Sequence, residues 1–326
     1  MLTGLIYIME KQKKYKIGII GAGYMAEKYL EIIRHDPHLK VSCITSRTIK
    51  KAKVLAKKYK IPFVNSNLKN LIRNNKIDAL MILVSVEEIF KVTKNVIKIG
   101  IPFFLEKPPG LSLNETKILS NLARKKNILN MVSLNRRHYS IFQKGIKIIN
   151  KNGKLLGISI EGHERFWNVE NNYSEKVKNS WIYANSIHTI DLFRFFGGEI
   201  KKVYSLNNKL FKKNGDQFVS AIQFKNGIIG NYISHWYSPG GWSIKLFGNG
   251  VTVEFKPLEK GYVINKKLKK TKIKIDKCDK KFKAGLYRQF ESFKKLIITG
   301  KLIWPSQDLR ETLKTMLLIK KISKNV

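Results

Sequence analysis

The segment Tyr15 to Ala26, reading Tyr-Lys-Ile-Gly-Ile-Ile-Gly-Ala-Gly-Tyr-Met-Ala, restricts the fold of this chain more than any other stretch. Tyr15 to Ile20 is a short, branched apolar run of the kind that forms a fully buried parallel strand. Gly21, Gly23 and Ala26 follow in the spacing G-x-G-x-x-A. From Tyr24 the pattern turns helical, with Met25, Tyr29, Ile32 and Ile33 at three- and four-residue intervals. Strand, glycine turn and helix in that order are the context of a dinucleotide fingerprint. Gly21 permits the tight turn. Gly23 lets backbone amides approach a pyrophosphate at the helix start formed by Tyr24 and Met25. Ala26 is small enough for the helix to lie close to the strand.

Strands and helices alternate from there. Lys40 to Thr45 reads as the second strand and ends in Ser46-Arg47-Thr48. This is roughly 20 residues past the fingerprint, where an NAD site carries Asp or Glu for the ribose 2′-hydroxyl. Ser46 and Arg47 supply a hydroxyl and a guanidinium instead, which suit a 2′-phosphate. The expected cofactor is therefore NADP, with NAD as the alternative and Arg47 as a plain surface cation in that case. Lys50 to Lys60 is a helix with Ala52, Leu55 and Ala56 inward; Asp78 to Val84 is a strand ending at Ser85. Glu88 to Gly100 has helical spacing and a glycine stop. Pro102 to Leu105 is a fourth strand, delivering Glu106-Lys107-Pro108 to the carboxyl edge where ligands of open α/β sheets bind. Leu113 to Lys126 is a helix, and Ile128 to Leu134 a strand that ends in Asn135-Arg136-Arg137-His138. Residues 1–135 thus read as one doubly wound parallel α/β domain.

The character then changes. After a helix near Ile141 to Asn150, strands are expected at Leu155–Glu161, Val203–Leu206, Phe218–Phe224, Gly230–His235, Ser243–Gly248 and Val251–Phe255. Turn signals such as Asn226-Gly227 and Asn249-Gly250 join them into a large, open, mainly antiparallel sheet. One helix, Ser186 to Phe196, is inserted early and stops at Gly197-Gly198. Lys266 to Lys274 is strongly basic, but its Lys-Ile-Lys-Ile part alternates like a half-solvated strand. Leu286 to Ile298 and Leu309 to Ile322 are closing amphipathic helices, so residues 136–326 form a second, α+β domain.

Composition narrows the function classes. Sixty-three basic residues against 23 acidic give +40, a balance that raises polyanion binding. The lysines are scattered through nearly every segment beside Ile and Asn, which points to solvated faces and to no specific nucleic-acid or membrane partner. Cys43 and Cys278 are too few for a disulfide framework or zinc site, as expected of a cytoplasmic protein with reduced thiols and no metal. Leu2 to Met9 is too short for a signal peptide or a membrane span, and Met9 reads as the initiator.

The G-x-G-x-x-A, the Glu106-Lys107-Pro108 after a strand and a later His188-x-x-Asp191 on a helix together resemble the glucose-fructose oxidoreductase/inositol dehydrogenase (Gfo/Idh/MocA) family. Asn135-Arg136-Arg137 and Thr299-Gly300-Lys301 extend the resemblance over nearly the whole chain. It implies a Rossmann domain, a C-terminal α+β domain whose sheet mediates homo-oligomerisation (dimer or tetramer), and hydride transfer between a nicotinamide and a carbon–oxygen centre of a sugar, cyclitol or nucleotide-linked sugar. In that picture Lys107 and His188 are catalytic, at the nicotinamide and the reacting oxygen. Glu106 and Ser85 contact the cofactor, or Glu106 positions Lys107. Asn135, Arg136, Asn185 and Asp191 contact substrate, with Asp191 alternatively orienting the imidazole. Members with a similar Tyr-Ala-Asn-Ser-Ile-His segment act in surface polysaccharide metabolism.

Two departures stand out. The Asp that family members carry four residues before the histidine is Ala184, and Ser85-Val86-Glu87-Glu88-Ile89-Phe90 replaces a Thr-Pro-x-x-x-His pattern. The first leaves room for a second class of function, a non-catalytic sensor that keeps the dinucleotide site. Trp236, Tyr237 and Trp242 around Ser238-Pro239-Gly240-Gly241 offer a sugar platform, or belong to sheet core or an oligomer interface; Arg136 and Arg137 suit a carboxylate or phosphate; His163, Glu164 and Arg165 stay undecided.

Overall fold

A computed structural model of the chain describes residues 14–68, 70, 72 and 76–324. The Leu2–Met9 segment and the proposed initiator lie outside them. The chain divides into two compact units. The first comprises Met1–Pro109, Ile118–Ser133 and Gln289–Leu309; the second comprises Gly110–Lys117, Leu134–Arg288 and Arg310–Val326.

In the first unit, β1 (Tyr15–Ile20), β2 (Leu39–Thr45), β3 (Phe63–Val64), β4 (Ala79–Ile82), β5 (Phe103–Glu106) and β6 (Asn130–Ser133) form a parallel sheet in the order β3-β2-β1-β4-β5-β6. The order reverses at β1, the switch point at which such sheets bind ligands. Every residue of β4, β5 and β6 is buried, which explains why β4 reads as an unbroken apolar run; β5 and β6 add the buried polar residues Glu106, Asn130 and Ser133. Helix α1 (Tyr24–Ile33) buries Ala26, Tyr29, Leu30, Ile32 and Ile33 on one face. Each large aliphatic side chain there contributes about 1.5–3 kcal/mol. Helix α2 (Ile49–Tyr59) buries Ala52, Leu55 and Ala56, the three residues its spacing selects. Helix α3 (Ile89–Ile99) ends at Gly100 in the left-handed region. The two-residue edge strand β3 is missing from the sequence reading because it is too short to show a period, so Glu106 closes the fifth strand and not the fourth.

In the second unit, β7 (Leu155–Gly162), β8 (Ile200–Asn208), β9 (Gln217–Phe224), β10 (Ile229–His235), β11 (Trp242–Gly248), β12 (Val251–Phe255), β13 (Gly261–Asn265) and β14 (Lys270–Ile273) form an eight-stranded sheet in the order β14-β13-β12-β11-β7-β10-β9-β8. All pairs are antiparallel except β7 with β10, because the intervening chain crosses over before β8 begins. Helix α4 (Ser140–Lys151) packs on β12 and β13, and helix α5 (Ile187–Gly197) on β7. The basic run contains an edge strand, β14, with only Ile273 buried; it stops before Ile275, so half of the alternating Lys-Ile-Lys-Ile part lies outside it. Short helical segments at Phe166–Glu170, Glu175–Asn179 and Trp181–Ala184 were not expected; each spans too few residues for a hydrophobic period. Helices α6 (Leu286–Thr299) and α7 (Leu309–Ile322) close the chain. Among the described residues, no helix is long and apolar enough to cross a membrane.

Candidate active-site residues in the two units

Gly21 and Gly23 lie two residues apart and are glycine for different reasons. Gly21 has φ +114°, and a Cβ there would meet the Leu83 carbonyl oxygen at 2.2 Å. Gly23 is extended, caps the start of α1, and among the described residues nothing beyond its own chain neighbours lies within 4 Å of where its Cβ would be. The first glycine is demanded by the fold. The second leaves bare backbone facing open space at a helix N-terminus, where N–H groups and the helix dipole favour an anion. These features fit the pyrophosphate of a dinucleotide. Ala26 is fully buried against the sheet, Tyr24 is exposed and Met25 half-buried.

Ser46 and Arg47 follow β2. The Arg47 side chain is 76% exposed and its Nη1 meets Glu88 Oε1 at 3.1 Å. An exposed pair of this kind is worth about 0–1 kcal/mol, so it holds the guanidinium weakly. Ser85 is exposed in the turn after β4, where its carbonyl accepts the Glu88 N–H.

Glu106 ends β5 and is 8% exposed. Its Oε1 accepts a 2.9 Å hydrogen bond from Ser133 Oγ on the neighbouring strand β6, and its Oε2 lies 3.2 Å from the Lys107 amide. Ser133 also reaches Gln289 Oε1 at 3.2 Å, and the Tyr29 hydroxyl donates to that same oxygen at 2.7 Å. Burial, and then the Glu106 charge, push the Tyr29 phenol well above its usual pKa and keep it a neutral donor. Tyr29, Ser133 and Gln289 therefore fix the carboxylate that precedes Lys107. None of the three is in a motif, and only their common burial links them. Lys107 is half-buried, and its bond to Pro108 is cis.

The second unit collects the remaining residues. Asn135 to His138 form one 3₁₀ turn. Asn135 is buried and its Nδ2 donates to the Ala284 carbonyl at 3.1 Å. Arg137 forms a two-pronged pair with Asp191, whose Oδ1 also accepts from Thr315 Oγ1 at 2.8 Å. Both carboxylate oxygens of Asp191 are thus already bonded within the protein. Arg136 points differently: it is half-buried with its guanidinium carbon 4.5 Å from the centre of the Trp242 ring. Burial lowers the Arg136 pKa, opposed by Tyr139, Glu259 and Glu164.

His188 lies in the first turn of α5, is 8% exposed, and its amide bonds to the Asn185 carbonyl at 3.1 Å. Its ring centre is 6.1 Å from that of Trp242. Just before this turn, Asn185 Nδ2 and Ser186 Oγ donate to the two oxygens of Glu164 at 2.8 and 2.9 Å. Glu164 is 4% exposed, so a buried carboxylate from the end of β7 approaches the segment in which Ala184 stands. Sequence left Glu164 undecided because partners 21 and 22 residues away leave no local pattern.

The aromatic residues around residues 238–241 divide between core and site. Trp236 is 3% exposed, stacks on Phe166 at 5.2 Å and donates its indole N–H to Ser234 Oγ at 3.1 Å; it is core. Tyr237 donates to Glu170 at 2.6 Å. The aromatic beside His188 is Trp242. His163 accepts the His235 amide at its Nδ1 and stacks on the His235 ring, while Arg165 is exposed.

Residues 15–134 match the family model described as oxidoreductase family, NAD-binding Rossmann fold, and residues 151–254 match the GFO/IDH/MocA C-terminal domain. An uncharacterized oxidoreductase of Bacillus subtilis, YrbE, is 28% identical over 229 residues, 66% of this chain and 65% of that protein. The chain therefore spans just under two thirds of that relative. The scyllo-inositol 2-dehydrogenase (NAD(+)) of the same organism is 26% identical over 251 residues, 73% of this chain and 71% of the relative. A crystal structure of a putative NADPH-dependent oxidoreductase from Desulfitobacterium hafniense superposes with TM-score 0.82 at 16% identity, covering 96% of both chains.

Proposed function

The chain belongs to the Gfo/Idh/MocA oxidoreductase family, and from that premise we propose that it is a nicotinamide-dependent oxidoreductase acting on a carbon–oxygen centre of a sugar, cyclitol or nucleotide-linked sugar. The observation that supports this furthest is the contrast at the glycine turn: Gly21 is closed by Leu83, whereas Gly23 is open above the start of α1. When bound, the dinucleotide supplies the hydride donor or acceptor. Gly23, Tyr24, Met25 and Ala26 hold the pyrophosphate through backbone N–H groups, and Gly21, whose own N–H donates to the Thr45 carbonyl, shapes the turn beneath it. Ser46 and Arg47 take a 2′-phosphate, which makes NADP the preferred form over NAD, and Ser85 and Glu106 contact the cofactor.

Lys107 donates a hydrogen bond to the reacting oxygen, with the Glu106–Ser133–Gln289–Tyr29 chain fixing the loop that carries it. His188 takes the substrate proton during oxidation and returns it during reduction, a transfer suited to imidazole near neutral pH. Asn135, Arg136 and Asn185 hold substrate, and Trp242 replaces Trp236 as the aromatic surface. Asp191 acts through Arg137. The chain assembles as a homo-oligomer through the outer face of the eight-stranded sheet, where Leu206 and Ile229 are exposed.

A second reading, a sensor that binds dinucleotide without turnover, is favoured by one observation: Ala184, which is buried and carries no charge. Absorbance at 340 nm over a panel of polyols, cyclitols and nucleotide sugars separates the two. The enzyme reading expects turnover that Lys107→Ala and His188→Ala each reduce by about 10²-fold or more. Cofactor binding with no turnover across the panel would establish the sensor.

A further inference from the structure

Arg136 and Arg137 are adjacent on one turn and are used in opposite ways. Arg137 is saturated by Asp191. Arg136 has no carboxylate in ion-pair range among the described residues, and its Nε is buried with no hydrogen-bond partner. A guanidinium carries five N–H donors in one plane, and its carbon sits 4.5 Å over the centre of the Trp242 ring; an oxyanion needs only two of those donors. The two carboxylates whose charges reach it are committed elsewhere. Glu164 accepts from Asn185 and Ser186, and Glu259 from the Tyr139 hydroxyl at 3.1 Å. The guanidinium is half-buried with its charge unpaired among the described residues, so an oxyanion at this site meets a cation that no carboxylate of the chain neutralises.

We propose that the substrate carries an oxyanion, a carboxylate or phosphate on the sugar, and that Arg136 reads it from the ring of Trp242. This rests on the reaction proposed above and names the substrate class within it. Trp242 has Arg136 on its ring and His188 as its other ring neighbour, so a molecule held by the guanidinium is also within the surroundings of the imidazole. Planar bidentate pairing explains why the residue is arginine: a lysine in its place keeps the charge but loses the fork.

The test uses the full chain with D-glucose, D-glucuronate and glucose 1-phosphate, followed by titration calorimetry and by cofactor turnover. At least one charged sugar is expected to bind more than about tenfold tighter than glucose. Arg136→Gln should erase that preference and Arg136→Lys keep part of it. Tighter glucuronate identifies a carboxylate, and tighter glucose 1-phosphate a phosphate. The proposal is overturned when charged and neutral sugars bind alike, when none binds, or when Arg136→Gln weakens all of them by one factor. Should the glutamine variant not fold, the parent's ligand preference and the lysine variant still decide. Charge-selective binding without turnover removes the oxidoreductase reading and keeps this subsite; turnover indifferent to charge does the reverse.

Discussion

Arg137 grips Asp191 through two bonds, Nε to Oδ2 at 2.6 Å and Nη2 to Oδ1 at 3.0 Å, with both side chains buried. The pair ties the 3₁₀ turn of Asn135–His138 to α5, and Thr315 adds a strut from α7. Removing one charge strands the other away from water. Asp191→Asn is therefore expected to cost about 3–5 kcal/mol, and the double change Arg137→Met with Asp191→Leu markedly less. Urea unfolding midpoints check this; a single variant as benign as a surface substitution contradicts it.

His138 is held down to a pKa of about 3, first by burial and then by the neighbouring Arg137 and Arg288 charges. The folded protein keeps it neutral, whereas the unfolded chain protonates it near 6.5. Between those values the unfolded state binds the extra proton, so stability falls as the pH falls from about 6.5 toward 3. The loss approaches about 1.4 kcal/mol per pH unit. His138→Gln should flatten this window, so that the parent loses about 2 kcal/mol more than the variant between pH 7.5 and 5.0. Parallel pH dependence of the two midpoints counts against the assignment.

The two glycines separate folding from binding. Gly21→Ala drives a methyl group onto the Leu83 carbonyl in a left-handed backbone and should lower the melting temperature sharply. Gly23→Val projects into open space and should leave the melting temperature nearly unchanged while weakening dinucleotide binding by about tenfold or more. Calorimetric melting with and without NADPH distinguishes them; equal melting losses without cofactor would dissolve the contrast.

Arg47 tests the cofactor choice. Its exposed contact with Glu88 is weak enough for a phosphate to displace. Arg47→Ala should weaken NADPH by about tenfold or more and NADH by less than about threefold. Glu88→Gln should tighten NADPH. Fluorescence titration of the two cofactors reads the outcome, and equal losses refute the 2′-phosphate role.

The parallel sheet was legible because its strands are buried on both faces and its helices carry a single apolar stripe, as Ala52, Leu55 and Ala56 show in α2. The glycine turn was legible because Gly21 answers a local backbone demand. Residues acting across sequence distance were not. Glu164 meets Asn185 and Ser186, and Ser133 meets Gln289 156 residues later, contacts that only the folded chain creates. Trp236 and Trp242 have the same side chain and lie six residues apart, at the two ends of one turn. One is core, stacked on Phe166, and the other starts β11 with its ring 6.1 Å from that of His188, a difference that only the folded chain creates. The parallel β7–β10 pair was missed for the same reason: hairpin turns announce adjacent partners, and crossovers do not.

Gln289 and Phe293 belong to the first unit although nearly the entire second unit is translated before them. Phe293 lies 5.3 Å from Phe104, and Gln289 receives both Tyr29 and Ser133. On the ribosome the nucleotide-binding half must wait, incompletely covered, until α6 leaves the exit tunnel, so the part begun first is finished among the last. A nonsense mutation anywhere before Gln289 thus injures the amino-terminal half as surely as the carboxyl-terminal one.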